Sequence, residues 1–150
     1  MTALAYPETR YAPAELVDIT SREERKRLGP SALKAFFNIV ECWHVRDEDA
    51  MGLLGGIASS TYYAIKKSPR RTLDSDTILR ISYLIGIFKA LNILHSKALA
   101  DRWIGLPNKN PIFRGTPPLE YMIRGGIPAM QAVRRLLDAR PAPGRSLHAR

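Results

Sequence analysis

The chain has 150 residues, of which 45% are hydrophobic and 25% charged, the balance of one ordinary globular domain. This composition argues against a collagen, a disordered chain or a membrane protein. Lysine and arginine outnumber aspartate and glutamate by 23 to 14, which gives a formal net charge of +9. Such an excess favours a polyanionic partner such as nucleic acid, with an anionic membrane surface as the weaker alternative.

The N-terminal segment 1–30 is expected to be an irregular arm followed by a short helix. Its first residues lack the basic start and apolar stretch of a secretory signal, so we expect a cytoplasmic protein. Ser21 and Glu24 have the spacing of a capping box, and Gly29 is expected to end the helix that they begin. The single cysteine, Cys42, cannot form an internal disulfide, which fits a reducing compartment.

The segment 31–72 is expected to be a DNA-binding helix-turn-helix region. Ser31 can cap a helix whose apolar residues recur every three or four positions as far as Trp43. Asp47 can cap a two-turn helix that ends at two glycines, and helical spacing then resumes from residue 57 to Lys67. A short helix, a glycine turn and a second helix are the proportions of a helix-turn-helix.

Small polar, aromatic and basic side chains of this second helix have the chemistry of a DNA contact. Hydroxyl groups can meet base edges, tyrosines can contact a thymine methyl group or a phosphate, and lysine and arginine can neutralise phosphates. The candidate DNA-binding residues are Ser59, Ser60, Thr61, Tyr62, Tyr63, Lys66, Lys67, Arg70 and Arg71. A purely structural alternative is a capped core helix with a solvated basic face.

The segment 73–140 is expected to be a second helical region. Asp74 can cap a helix that is apolar around half its circumference, so neighbours must cover it on two sides. Several prolines then bracket an ordered loop from Asn108 to Thr116. Pro117 is expected to open a short helix that Gly125 and Gly126 end, and a last helix begins at Pro128. With almost no strand pattern, the fold is expected to be all-α.

Catalytic chemistry finds little support in this sequence. The three histidines lie far apart, and no metal-binding or nucleophile motif is present. Asp74 and Asp76 near a helix start are more readily explained as caps than as an acid pair. We therefore expect a protein that is not an enzyme, with no catalytic residue, no metal and no cofactor.

A set of residues in the second half resembles a known family. Arg80 and its apolar helix, then Trp103, Leu106-Pro107-Asn108, Phe113, Gly115, Pro118-Leu119 and Gly125-Gly126 resemble the toxin-binding domain of Xre/MbcA/ParS-type antitoxins of RES/Xre toxin-antitoxin systems. The segment 47–67 resembles the Xre-like helix-turn-helix half of the same proteins.

The resemblance implies a homodimeric type II antitoxin. Its C-terminal half would bind a RES-domain toxin, a protein that degrades NAD or transfers ADP-ribose from it, and block the NAD-binding site. Its helix-turn-helix half would bind operator DNA and repress the operon. The toxin-binding candidates are Asn108, Lys109, Phe113, Arg114, Arg134, Arg135, Arg140, Arg145 and Arg150. Trp103 and Phe113 also fit core positions.

The C-terminal segment 141–150 is expected to be a flexible basic tail, rich in proline and polar residues. One hypothesis is that Arg140, Arg145 and Arg150 help to block the NAD site of the toxin.

Two other functions of the protein stay open. A stand-alone transcriptional regulator would use the same DNA helix without a toxin, and a membrane-surface protein would need an exposed apolar face on the last helix.

Overall fold

The computed structural model describes residues 18–140, which contain six α-helices, one short 3₁₀ turn and no strand. The elements in chain order are α1 (Arg22–Cys42), α2 (Asp47–Leu53), α3 (Ser59–Lys67), α4 (Ser75–Leu94), α5 (Lys97–Arg102), the 3₁₀ turn (Trp103–Gly105) and α6 (Pro118–Asp138). The expected all-α architecture is confirmed.

Helix α4 lies at the centre of the fold. It packs against α1 on one side and against α5 and α6 on the others. Leu84, Ile87 and Leu91 are completely buried along it. This arrangement confirms the expectation that a helix with so wide an apolar arc needs neighbours on two sides. Asp74 caps the helix, since its carboxylate accepts a hydrogen bond of 2.8 Å from the backbone N–H of Thr77.

Helix α1 is one continuous helix, so the expected stop at Gly29 and restart at Ser31 were wrong. Ser21 does cap it, accepting a 3.3 Å hydrogen bond from the backbone N–H of Glu24. Pro30 lies inside the helix and removes one hydrogen bond of the ladder without ending it. Gly29 is buried where a side chain would collide with the backbone carbonyl of Arg71. The glycine therefore allows a close approach and does not terminate the helix.

The segment after α3 is also fixed to α1 by a hydrogen bond from Arg25. The Arg25 guanidinium donates from Nε to the carbonyl of Leu73 at 3.0 Å and from Nη1 to the carbonyl of Ile19 at 2.9 Å. Leu73 itself is buried. The basic residues Arg70 and Arg71 thus belong to a connection whose backbone is anchored, while their side chains are exposed.

Helix α6 changes direction at Gly126, which has φ 65° and ψ −146°. Glycine can adopt this backbone geometry at little energetic cost, because it has no side chain to clash with the backbone. The expected end of one helix at Gly125-Gly126 and a new start near Pro128 thus corresponds to a break within one element. The helix begins one residue later than expected, because Pro117 occupies the N-cap position and Pro118 is the first helical residue.

Candidate nucleic-acid interface and partner-binding surface

Helices α2 and α3 are joined by a tight glycine turn. Arg46 occupies the N-cap position of α2, so Asp47 is the first residue of that helix and not its cap. Gly55 and Gly56 have φ values of 95° and 80°, in the left-handed region that glycine favours. The turn sets α3 beside α2 with the N-terminus of α3 open, since no side chain caps it and its first turn holds no acid.

Helix α3 buries one side and exposes the other. Tyr62 and Ile65 are buried, and the Tyr62 ring meets Phe37 of α1 edge to face with centroids 5.7 Å apart. The opposite side carries the exposed residues Ser59, Ser60, Tyr63, Lys66 and Lys67, and Thr61 is half-buried. This polar and basic face is the surface that could enter a DNA groove.

Asp47 gathers three side chains of α3 at the start of α2. Its Oδ1 accepts hydrogen bonds of 2.8 Å from both the Tyr62 hydroxyl and the Lys66 ammonium, and its Oδ2 accepts one of 3.2 Å from Tyr63. The hydrogen bonds from Lys66 and Tyr62 hold the pKa of Asp47 below its ordinary value of 3.8. Burial, followed by the bond to Asp47, raises the pKa of the Tyr62 hydroxyl well above 10. Asp47 therefore stays ionised near neutral pH and orients α3 relative to α2.

The structure divides the DNA-binding candidates into three groups. Tyr62 belongs to the core and not to the surface, because the residue is 1% exposed and its hydroxyl donates to Asp47. Lys66 and Tyr63 are exposed but engaged by the same carboxylate. The remaining candidates are in none of the four ion pairs that involve residues 46–80. Thr61 among them is half-buried, and the others are exposed: Ser59, Ser60, Lys67, Arg70 and Arg71.

The loop 106–117 is held by its own hydrogen bonds. Asn108 accepts from the backbone N–H of Asn110 through Oδ1 at 2.9 Å and from that of Gly115 through its carbonyl at 3.0 Å. Asn110 accepts from the N–H of Ile112 through its side chain at 3.1 Å. Asn108, a predicted toxin contact, thus also shapes the loop that presents Lys109 and Arg114 to solvent.

Phe113 anchors this loop in the core, where it is 2% exposed. Its ring meets Trp103 at 6.0 Å and Tyr121 of α6 at 5.1 Å, both edge to face. The prediction of Phe113 as a direct toxin contact is therefore corrected, because a ring enclosed in this way supports the loop and offers no surface to a partner. Trp103 is also buried, as its size and hydrophobicity led us to expect.

The arginines at the end of α6 differ in their exposure and in their contacts. Arg134 lies across Gly86 of α4, where a side chain on that glycine would collide with the guanidinium, and it pairs with Asp138 at 2.8 Å. Arg135 is exposed on the last turn, and Arg140 follows the helix and is half-buried. Arg145 and Arg150, with the tail hypothesis that depends on them, lie outside the described residues.

A contact between the two halves was missed by sequence reasoning. Arg80 of α4 pairs with Asp76 at 2.8 Å, and its guanidinium fills the space beside two glycines. A side chain carbon added at Gly55 would lie 3.2 Å from Nε of Arg80, and one at Gly126 would lie 3.6 Å from Nη2. Arg80 thus connects the turn of the helix-turn-helix with the break in α6.

The described residues were compared with the requirements of a metal site and of a membrane-spanning helix. Between residues 18 and 140, no group of three or more His, Cys, Asp or Glu side chains is placed to hold a metal ion. One helix of this part of the chain, α4, is long and apolar enough by length and composition to cross a membrane. Its packing against three other helices is that of the core helix of a folded domain.

Helices α2 and α3 and the glycine turn between them form a helix-turn-helix within an all-α fold. Residues 22–86 match the Antitoxin Xre-like helix-turn-helix domain. The uncharacterized protein y4oB of Sinorhizobium fredii (strain NBRC 101917 / NGR234) is 39% identical over 111 residues, which are 73% of this chain and 84% of that protein. No solved structure matches the chain.

The chain belongs to the Xre-like antitoxin family, whose members are regulatory and not enzymatic. An antitoxin role with a DNA-binding helix-turn-helix follows from this membership, and DNA and a toxin are the general partners that it implies.

Proposed function

We propose that this protein is a cytoplasmic, homodimeric antitoxin that binds a RES-domain toxin, covers its NAD-binding site and represses its own operon. The family membership of residues 22–86 is the observation that carries the proposal. The toxin class rests on the resemblance of the segment from Arg80 to Gly126 to the toxin-binding domain of Xre/MbcA/ParS-type antitoxins.

The DNA-binding part of the proposal draws on the exposed face of α3. The N-terminus of that helix carries Ser59 and Ser60 with uncapped backbone N–H groups, which can donate to base edges or phosphates. Lys67 ends the helix, and Arg70 and Arg71 follow on the anchored connection. From residue 57 to residue 71 the sequence contains no acid to oppose them. The face is therefore suited to a polyanion.

Lys67 and Lys66 are expected to differ in their contribution to DNA binding. Lys67→Ala should remove one phosphate contact and lower the slope of log affinity against log salt by about 0.9. Lys66→Ala should change the slope less, because the Lys66 ammonium already pairs with Asp47. The measurement is a salt titration of binding to the DNA upstream of the gene, with circular dichroism to verify folding. Equal slopes for wild type and Lys67→Ala would contradict a phosphate contact at this residue.

Cellular NAD tests the toxin part of the proposal. We expect NAD to fall when the gene beside this one is induced alone, and to recover when the full chain is expressed with it. A growth assay in the same cells provides an independent readout. If the neighbouring product neither lowers NAD nor slows growth, the RES-toxin proposal fails, and a regulator that acts without a toxin becomes the better account of the DNA-binding face.

A further inference from the structure

A surface pocket of about 360 Å³ lies between the loop 106–117 and the first half of α6. Tyr121, which is half-buried, contributes an aromatic ring to its wall, and the buried Phe113 ring supports it from behind, edge to face at 5.1 Å. Ile112 stands at the edge with 39% of its surface exposed, which makes it one of three large hydrophobic side chains so exposed in residues 18–140. The pocket therefore offers apolar area that a partner could cover.

Two arginines give the same pocket a positive rim. Arg114 and Arg124 line it from the loop and from α6, respectively. Arg124 pairs with Glu120 one helical turn away. Arg114 is exposed, and no ion pair within residues 18–140 involves it. The rim thus carries one exposed guanidinium that forms no ion pair with the acids of residues 18–140.

The pocket is formed before any partner arrives. The loop is closed by hydrogen bonds from Phe113 N–H to Asn110 O at 2.9 Å and from Thr116 N–H to Phe113 O at 2.9 Å, in addition to those of the asparagine side chains. Arg114 has φ 51° and Gly115 has φ 85°, so the chain turns sharply at this point, and Arg114 is exposed there. A preformed loop loses little conformational entropy on binding.

We propose that this pocket receives an anchor of the toxin that combines an apolar side chain with a neighbouring carboxylate. The carboxylate would lie on the rim beside Arg114, where a guanidinium can donate two parallel hydrogen bonds. The apolar side chain would cover Ile112 and the Tyr121 ring. This inference rests on the proposed antitoxin function and specifies the partner chemistry of its toxin-binding half.

An acidic protein segment fits these observations better than the other possible occupants. A DNA backbone would satisfy the arginines but leave Ile112 and the Tyr121 ring without an apolar contact. A second copy of this chain carries a net charge of +9, which opposes a symmetric contact between two such rims. The C-terminal segment 141–150 contains no aspartate or glutamate, so it has no carboxylate side chain to offer.

The test measures the affinity of the full-length protein for the purified product of the neighbouring gene by calorimetry. Arg114→Glu should weaken binding by about 30-fold or more, because it places like charges together at the rim. Ile112→Ala should weaken binding by about fivefold through lost apolar contact. Lys89→Glu, which makes the same change in net charge on the exposed side of α4, should alter the affinity less than about twofold.

The possible outcomes separate this inference from the proposed function. If the wild type binds and Arg114→Glu binds as well as Lys89→Glu does, the pocket assignment is overturned while the antitoxin proposal stands. If the wild type does not bind the neighbouring product, the proposed function itself fails. A loss by Arg114→Glu of operator affinity alone, or of self-association in sedimentation alone, would assign the pocket to DNA or to a second copy and also overturn the inference. A lysine scan of toxin carboxylates that restores binding to Arg114→Glu would identify the anchor.

Discussion

Replacing Phe113 by alanine is expected to lower the free energy of unfolding by about 3–5 kcal/mol. The ring is 2% exposed and joins Trp103 to Tyr121, so its removal leaves a cavity between the loop and α6 that the hydrogen-bonded loop cannot easily close. Guanidinium unfolding followed by circular dichroism measures the change. Phe113→Leu provides the control, since it keeps most of the apolar volume and should cost clearly less.

Substitutions of Phe113 also distinguish a structural role in the loop from direct contact with the toxin. Because the ring does not reach the surface, we expect Phe113→Leu to bind the toxin partner nearly as well as the wild type while Phe113→Ala binds poorly. A loss of stability below about 1 kcal/mol for Phe113→Ala would contradict the anchoring role of the ring. Equal loss of binding by both variants at full stability would instead restore Phe113 as a direct contact.

Gly29→Ala is expected to destabilise the protein by about 2–3 kcal/mol, although alanine is the better helix former by about 1 kcal/mol. An added methyl group would collide with the carbonyl of Arg71, which is backbone and is held in place by the bond from Arg25 to Leu73. To avoid this collision, α1 would have to move away from the connection that carries Arg70 and Arg71. Thermal unfolding measures the stability of the variant.

Gly86→Ala is the matched control for this prediction. Its methyl group would meet the end of the flexible Arg134 side chain, which can swing away at the loss of its pairing with Asp138. An exposed pair of this kind contributes little, so we expect a stability near or slightly above that of the wild type. A Gly29→Ala protein that unfolds no earlier than Gly86→Ala would show that α1 does not approach the connection so closely.

Local patterns were enough to predict most of the helices. The apolar spacing from Leu33 onward and the wide apolar arc from Ile78 to Leu94 identify α1 and α4 because burial imposes the helical period on the sequence. Asp74 identifies the start of α4, since a carboxylate there satisfies a free backbone N–H. These signals act within one or two turns, so they need no knowledge of the neighbouring elements.

The errors arose where distant segments meet. A glycine that ends a helix and a glycine that admits another backbone are identical in sequence, so the contact between Gly29 and Arg71 could not be distinguished from a helix stop. The grouping of Tyr62, Tyr63 and Lys66 around Asp47 depends on the angle of the glycine turn. The Arg80 contact with Gly55 and Gly126 requires the whole fold.

One feature of the candidate interface was within reach of the sequence. Tyr62 precedes Ile65 by three residues, which places both on one face of a helix, and this phase predicts a buried Tyr62 and an exposed Tyr63. Periodicity alone would thus have separated the two tyrosines, although both were placed among the DNA-binding candidates. The position of Arg114 on the pocket rim could not be predicted from the sequence. A loop has no hydrophobic period, and the backbone turns at residues 114 and 115 decide where its side chains lie.

The position of α4 bears on how this protein would be removed from a cell. The helix packs against α1 on one side and α6 on the other, and the family match itself ends at residue 86, inside it. A protease that pulls on either end must extract a helix that both halves need, so neither half would outlive the other as a folded fragment. Under the proposed function, repression and neutralisation would then share one lifetime, and a single degradation event would release promoter and toxin together.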